Sequence, residues 1–358
     1  MTFTATERNE TVLQQILVNA LPARTWNRLN VNESRLSADG TAPAEVTAEA
    51  PETLKVSRAA LKDDIQSAMG AEYVQALDGA QTLSIEAESH ETRPAVIHVR
   101  LKDGENAGLR LFLHAGSNAM LRVILAVSSD ENARGRLFIR TAVYADQGSK
   151  IALYTANLLG NQVAYADDVS ARTEEKAFFL LDRLDLGGNN VHTACCTELV
   201  GRKSRFASGV AYRVAEKGLL DMNWLARHFG PKTDSRIQVN GVLEEASSKC
   251  FRGTIDFVRG CAGATGGETE AVLLMGESQV NQTVPLILCE EEDVDGSHGA
   301  SIGRLDDKML FYMASRGISE DKAKKLMADS RLTQMRDVFP DENVRREIDR
   351  FMGREEEA

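Results

Sequence analysis

A chain of 358 residues with a formal net charge of −11 is ill suited to general nucleic-acid binding, which depends on neutralising phosphates. Aromatic residues make up only 6% of it and glycine is frequent, which favours many short strands with tight turns over a large helical bundle. Its five cysteines, Cys195, Cys196, Cys250, Cys261 and Cys289, are odd in number and contain no CxxC pair, which excludes a disulfide framework and points to a reducing compartment.

The first residues, MTFTATERNETVLQQ, are charged where a signal peptide would be apolar, and no apolar run of about eighteen residues occurs. A soluble cytoplasmic protein without membrane contact is the expectation. Residues 11–20, TVLQQILVNA, with Leu21 after them, carry a helical stripe at positions 12, 13, 16, 17, 20 and 21, ended by Pro22. Trp26 and Leu29 extend the packed face. Segment 30–53 lacks a period and reads as a linker. Between Val56 and Ala76, Leu61, Ile65, Met69 and Tyr73 fall on one face of a second helix.

From Gln81 the period changes to two. Candidate strands recur with DG, GEN and GSN turns between them, and no long amphipathic helix intervenes, which argues against a βαβ sheet. Periodicity leaves two architectures open, an antiparallel sandwich or barrel and a solenoid of stacked short strands. Leu219–His228 reads as a strand followed by a turn or as a short helix, Gly230–Pro231 as a turn, and residues 261–271, CAGATGGETEA, as flexible by composition. Beyond Leu305 the period becomes helical. Asp306 can cap a helix in a staple of Leu305 with Leu310, Gly317 stops it, and Ser319 can cap the next, with Glu320 and Asp321 in its first turn. The division expected is a helical region at 1–80, a β core at 81–304 and a helical tail at 305–358.

The pieces FRG at 251–253, the acidic run with SHGA at 291–300, and GRLDDKMLFYMASRGIS at 303–319 are specific when taken together. They resemble the SufB/SufD family of iron–sulfur cluster assembly proteins, and its SufD-type members most. The resemblance implies a mainly β fold, a right-handed parallel β-helix core flanked by N-terminal and C-terminal helical regions. It implies a non-catalytic scaffold subunit that pairs with a SufB-like subunit and docks a SufC-like ATPase through the C-terminal helices, with Leu310, Phe311, Leu326 and Met327 as contacts. No tightly bound cofactor is implied for the isolated chain. A transient iron–sulfur cluster is implied in the complex, as is a homodimer when SufB is absent. Pairing through β-helix edges or ends would be a form of strand addition. The simpler role for the tail is to cover the open end of the strand stack, where unpaired edges invite aggregation. Leu310, Phe311 and Ala314 would then pack on the body.

His298 is the principal site candidate, read as lying in a turn, DVDGSHGAS. Imidazole is a borderline donor that suits iron. The matching family histidine lies at the SufB interface, opposite a SufB cysteine. The family often has a cysteine two residues earlier, where this chain has Gly296. Adjacent Cys195 and Cys196 on a strand point to opposite faces and cannot easily share one tetrahedral site. Cys250, Cys261 and Cys289 are isolated in sequence, although stacked coils can bring such residues together. His98, His114 and His192 lie among strand-like residues, but their spacing requires no metal site. The run Glu290, Glu291, Glu292, Asp293 and Asp295 offers hard oxygen donors or a solvated turn.

Motifs of catalysis are missing. There is no GxxxxGK followed by Ser or Thr, no GxSxG and no HExxH. Three other readings remain. One is a SufB-type subunit, disfavoured by Gly296–Ser297–His298 and by the lack of a cysteine-rich N-terminal part. Another is a structural β-helix module without metal chemistry. The last is a glycan enzyme, which would need clustered carboxylates on one sheet face.

Overall fold

The computed structural model describes residues 14–354 apart from 39, 216, 245, 305 and 306. An N-terminal segment holds β1 (Gln14–Val18), β2 (Ser34–Ala38), β3 (Ala42–Pro43), β4 (Glu45–Glu49), β5 (Leu54–Ser57) and the short helix α1 (Ala71–Ala76). The body follows as β6 (Gln81–Ala87), β7 (Ala95–Leu101), β8 (Glu105–Ala115), β9 (Met120–Ser129), β10 (Arg134–Ala145), β11 (Lys150–Leu158), β12 (Gln162–Thr173) and β13 (Phe178–Asp185). It continues through β14 (Asn190–Leu199), β15 (Arg205–Val214), β16 (Leu219–His228), β17 (Asp234–Leu243), β18 (Ser248–Phe257), β19 (Ala264–Leu274), β20 (Val280–Cys289) and β21 (Val294–Arg304). Three helices close the chain: α2 (Asp307–Ser315), α3 (Glu320–Val338) and α4 (Glu342–Phe351).

Within the body the even-numbered strands from β6 to β20 pair in parallel in one sheet, and the odd-numbered strands from β7 to β21 in the other. The chain alternates between sheets, which makes a parallel β-solenoid of about eight coils. In-register stacking fills its interior. Leu121, Ile151, Phe179 and Phe206 form one inward column, with the Phe179 and Phe206 rings stacked at 5.7 Å. Each large apolar side chain buried this way contributes about 1.5–3 kcal/mol. The corners stack too. Asn118, Gly148, Lys176, Lys203, Lys232 and Gly263 all have left-handed φ between 58° and 74°, and each N–H donates to a carbonyl on the next corner.

The N-terminal region is not helical as the stripe predicts. Residues 11–13 lie outside the described residues, and 14–18 form a strand paired antiparallel with 34–38. Ile16 and Val18 are buried while Gln15 and Leu17 are exposed, so tertiary cover selects a period of two from an ambiguous run. Trp26 and Leu29 stay exposed. The expected linker is largely β structure, because β3 pairs with β8 and β4 with β7. The predicted helix over 56–76 survives only as α1. Upstream of α1, the carbonyls of Ile65, Gln66 and Ala68 accept hydrogen bonds from Arg140, Ser170 and Asn223 on the sheet face. A helix would keep those carbonyls for itself.

The tail is helical. Ser319 caps α3 by accepting from the Lys322 N–H at 3.4 Å, and Gly317 ends α2 with φ 80°. The Leu305–Asp306 staple lies outside the described residues. Leu332, Phe339, Val344 and Ile348 pack on Ile124, Tyr154, Leu184 and Ala211 of the odd-numbered sheet. The tail therefore covers the flank of the solenoid and not its end. Phe311 is 77% exposed and Ala314 is exposed, so the expectation that they pack on the body fails. Residues 261–271, expected to be flexible, instead run into β19, with Cys261 and Ala264 buried against Ile255 and Phe257.

Candidate functional site

The two ends of the solenoid differ. At the first coil, the short strands β4 and β5 pair antiparallel with β7 and β6. At the last coil, β20 and β21 each have a neighbour on one side only. β21 is exposed along nearly its whole length and β20 is partly exposed, with Val280 and Ile302 about half exposed.

His298 lies in the middle of β21, paired in register with Glu268, and not in a turn. The acidic run before it does form the corner: Glu291 accepts from the N–H groups of Gly260 at 3.0 Å and Glu292 at 3.1 Å. Those N–H donors hold the Glu291 carboxyl below the usual carboxylate range. Register fixes which way His298 faces. Val272 is in the core, so alternate residues Glu270, Glu268 and Gly266 face inward on β19, and their partners Ala300, His298 and Gly296 do so on β21. A side chain at 296 would share that face. A Cβ there would come within 3.0 Å of Phe257 and 3.3 Å of Ile287.

Below His298 the interior turns polar. Lys249, on β18, makes a buried ion pair with Glu270 and donates to the Gln282 carbonyl at 3.1 Å. Thr283 Oγ1 donates to Glu270 at 2.6 Å. Glu268 is buried with no hydrogen-bond partner among the described residues. Burial, aided by the negative charge of Glu270, pushes its carboxyl up to about 7, and Lys249 only partly offsets this. Burial likewise lowers the Lys249 ammonium. Gly253 makes room: a Cβ there would fall 1.9 Å from Glu268 Oε2. The FRG piece therefore divides its work. Phe251 packs on Trp224 in the core, Arg252 reaches outward to Asp221 at 2.7 Å, and Gly253 admits the Glu268 carboxyl. Sequence reasoning missed Glu268, Glu270 and Lys249, because their inward direction is a matter of register. The signal available was the glycine opposite a carboxylate.

The cysteines do not gather into one cluster. Cys195 faces the core and Cys196 the opposite face, both fully buried, as adjacent strand residues must. Burial pushes the Cys195 thiol far up and that of Cys196 to about 12, which leaves them poor nucleophiles and metal donors. Cys250 is buried beside Asp221 in register, with its thiol raised to about 11 by burial. Cys261 and Cys289 lie near one another at the corner of the last coils, and Cys289 is exposed. His192 is buried, with Nε2 3.0 Å from Asn190. His98 is 3.7 Å from Glu347 and His114 is 3.1 Å from Asp146. His228, which the sequence did not single out, has both ring nitrogens satisfied by Thr233 and Ser235, and burial lowers its pKa to about 4.

On the tail, Leu310 is half-buried and Met327 packs with Val242, Leu273 and Ala328, while Leu326 is 46% exposed. Tyr312 and Met309 add to the exposed apolar surface of α2. No helix among the described residues is long and apolar enough to cross a membrane.

The family model described as "SUF system FeS cluster assembly, SufBD core domain" matches residues 99–330. The chain is 26% identical over 304 residues to the iron–sulfur cluster assembly protein SufD of Escherichia coli (strain K12), covering 81% of this chain and 70% of that protein. It is 31% identical over 121 residues to SufD of Bacillus subtilis (strain 168), covering 34% of this chain and 28% of that protein. SufB of Bacillus subtilis is 27% identical over 100 residues, 28% of this chain and 22% of that protein. A solenoid most of whose coils fall within the matched residues, ending in two strands with free outer edges and an inward histidine, belongs to the SufB/SufD family of SUF-system iron–sulfur cluster assembly proteins.

Proposed function

We propose that this chain is a non-catalytic scaffold subunit of a SUF-type assembly complex, SufD-like in role, that pairs with a SufB-type subunit through the open end of its solenoid. The observation that carries this reading is the pair of long parallel strands, β20 and β21, whose outer edges have no partner. Unpaired N–H and C=O groups in such number favour strand addition by another chain. His298 would then face the seam and offer its imidazole to cargo iron or to a nascent cluster. Cys289, exposed on the neighbouring strand, is a second soft donor near that seam. The chain has no phosphate-binding loop, so energy would come from a SufC-like ATPase, and sulfur would arrive through the SufB-type subunit. The exposed apolar surface of α2 and the start of α3, with Leu310, Phe311, Leu326 and Met327, supports docking of that ATPase.

Deleting the tail would strip the apolar cover from the flank, so point changes are the cleaner test. Phe311→Asp with Leu326→Asp should abolish co-purification with the ATPase and leave pairing with the SufB-type subunit intact. His298→Ala should lower cluster yield on the reconstituted complex at unchanged assembly. Equal cluster loading in mutant and wild type would remove His298 from the account, and retained ATPase binding by the double variant would remove the α2 and α3 surface.

A further inference from the structure

Away from the open end, one place among the described residues brings a histidine and carboxylates together on the outer face. β6 and β8 pair so that Glu86 lies beside His114. Both face outward, because their neighbours Ile85, Ala87, Leu113 and Ala115 are in the core. Two corners add Glu88, just after β6, and Asp146, just after β10. One ligand atom from each of Glu86, Glu88 and His114 lies within 4.8 Å of the others.

The imidazole is already aimed. Its Nε2 is 3.1 Å from Asp146 Oδ2, and its Nδ1 is 3.9 Å from Glu86 Oε2. With the proton on Nε2, donated to Asp146, the Nδ1 lone pair turns toward the glutamates. A carboxylate behind a histidine fixes its tautomer and raises its basicity as a metal ligand. Gly116 leaves the room Glu88 uses, since a Cβ there would fall 2.7 Å from Glu88 Oε2. The competitor among the described residues is Lys55, whose Nζ is 2.6 Å from Glu86 Oε1. It occupies the oxygen away from the imidazole, and its side chain is 71% exposed and can swing into solvent.

We propose that Glu86, Glu88 and His114, with Asp146 positioning the imidazole, bind one borderline divalent transition ion of the zinc or ferrous class. One nitrogen and two carboxylates suit these ions better than magnesium or calcium, which prefer all-oxygen shells. The site stands at the other end of the stack from His298 and does not depend on the reading of that end.

The test is calorimetric titration of the full chain with Zn2+ in a background carrying both His298→Ala and Cys289→Ser, which removes the two donors placed at the open end. One saturable site is expected. Adding His114→Ala should abolish it, and adding Asp146→Asn should weaken it about 10- to 100-fold. Lys55→Ala should tighten it by removing the competing ammonium. Circular dichroism checks that each variant is folded. Absence of saturable binding in that doubly substituted background, or binding unchanged by His114→Ala in a folded protein, would overturn the proposal.

Discussion

The two ends of this solenoid treat the same problem in opposite ways. The first coil is closed by β4 and β5, only five and four residues long and paired antiparallel. The N-terminal segment then runs across the even-numbered sheet and is clasped there. Arg140 bridges Asp63 and Asp168, and Arg252 reaches the Val31 carbonyl at 2.6 Å and Asp221 at 2.7 Å. Asn19 joins the same cluster through Asp221 at 2.7 Å. The N-terminal segment touches the last coil, where Gln282 donates to the Leu29 carbonyl at 3.1 Å, but no strand among the described residues lies along its outer edges. Strands of ten and eleven residues stand with bare edges, above an interior that carries a lysine and two glutamates. Short edge strands and covering segments are how proteins blunt β-edges. That this chain does so at one end and not at the other is the physical basis for assigning a partner to the bare end.

The largest expected effect belongs to the closed end, at the Arg140 clasp. Arg140→Ala leaves Asp168 buried without its partner and should cost about 3–5 kcal/mol by chemical denaturation. A loss below about 1 kcal/mol would mean that the clasp does not hold the segment. The second effect belongs to the open end. Glu268 has its folded pKa raised from 4.5 to about 7, so the folded state binds the extra proton. Its contribution is therefore fully present below about pH 4.5 and is lost as pH rises toward 7. Glu268→Gln should match wild type near pH 5 and exceed it above pH 7, by at most on the order of 3 kcal/mol. Parallel pH curves for the two proteins would contradict the burial of that carboxyl. The smallest effect sharpens the contrast: His298→Ala, on an exposed edge, should change stability by no more than about 0.5 kcal/mol.

The strand-rich body was legible from Gln81 onward, because alternation and turn residues are local signals. Which strands pair was not, since a period of two fits a sandwich as well as a solenoid, and the family pieces decided it. The N-terminal segment misled for a physical reason. Its carbonyls between 65 and 68 are satisfied by sheet side chains far away in sequence, which no local pattern reports. The corners hid as well. Lys176, Lys203 and Lys232 occupy left-handed positions where glycine or asparagine would have announced a turn. At the site, His298 was found by resemblance and misplaced in a turn, because Asp and Gly around it look like loop residues. In the fold those glycines lie on the edge strand, where the side chain at 296 would press on Phe257 and Ile287.

Amide hydrogen exchange on the chain, alone and mixed with a SufB-type subunit, tests the central claim most directly. The outward-pointing amides of residues 280–289 and 294–304 should exchange rapidly in the free chain and become protected in the mixture. Binding of the partner with exchange in both strands unchanged would contradict it.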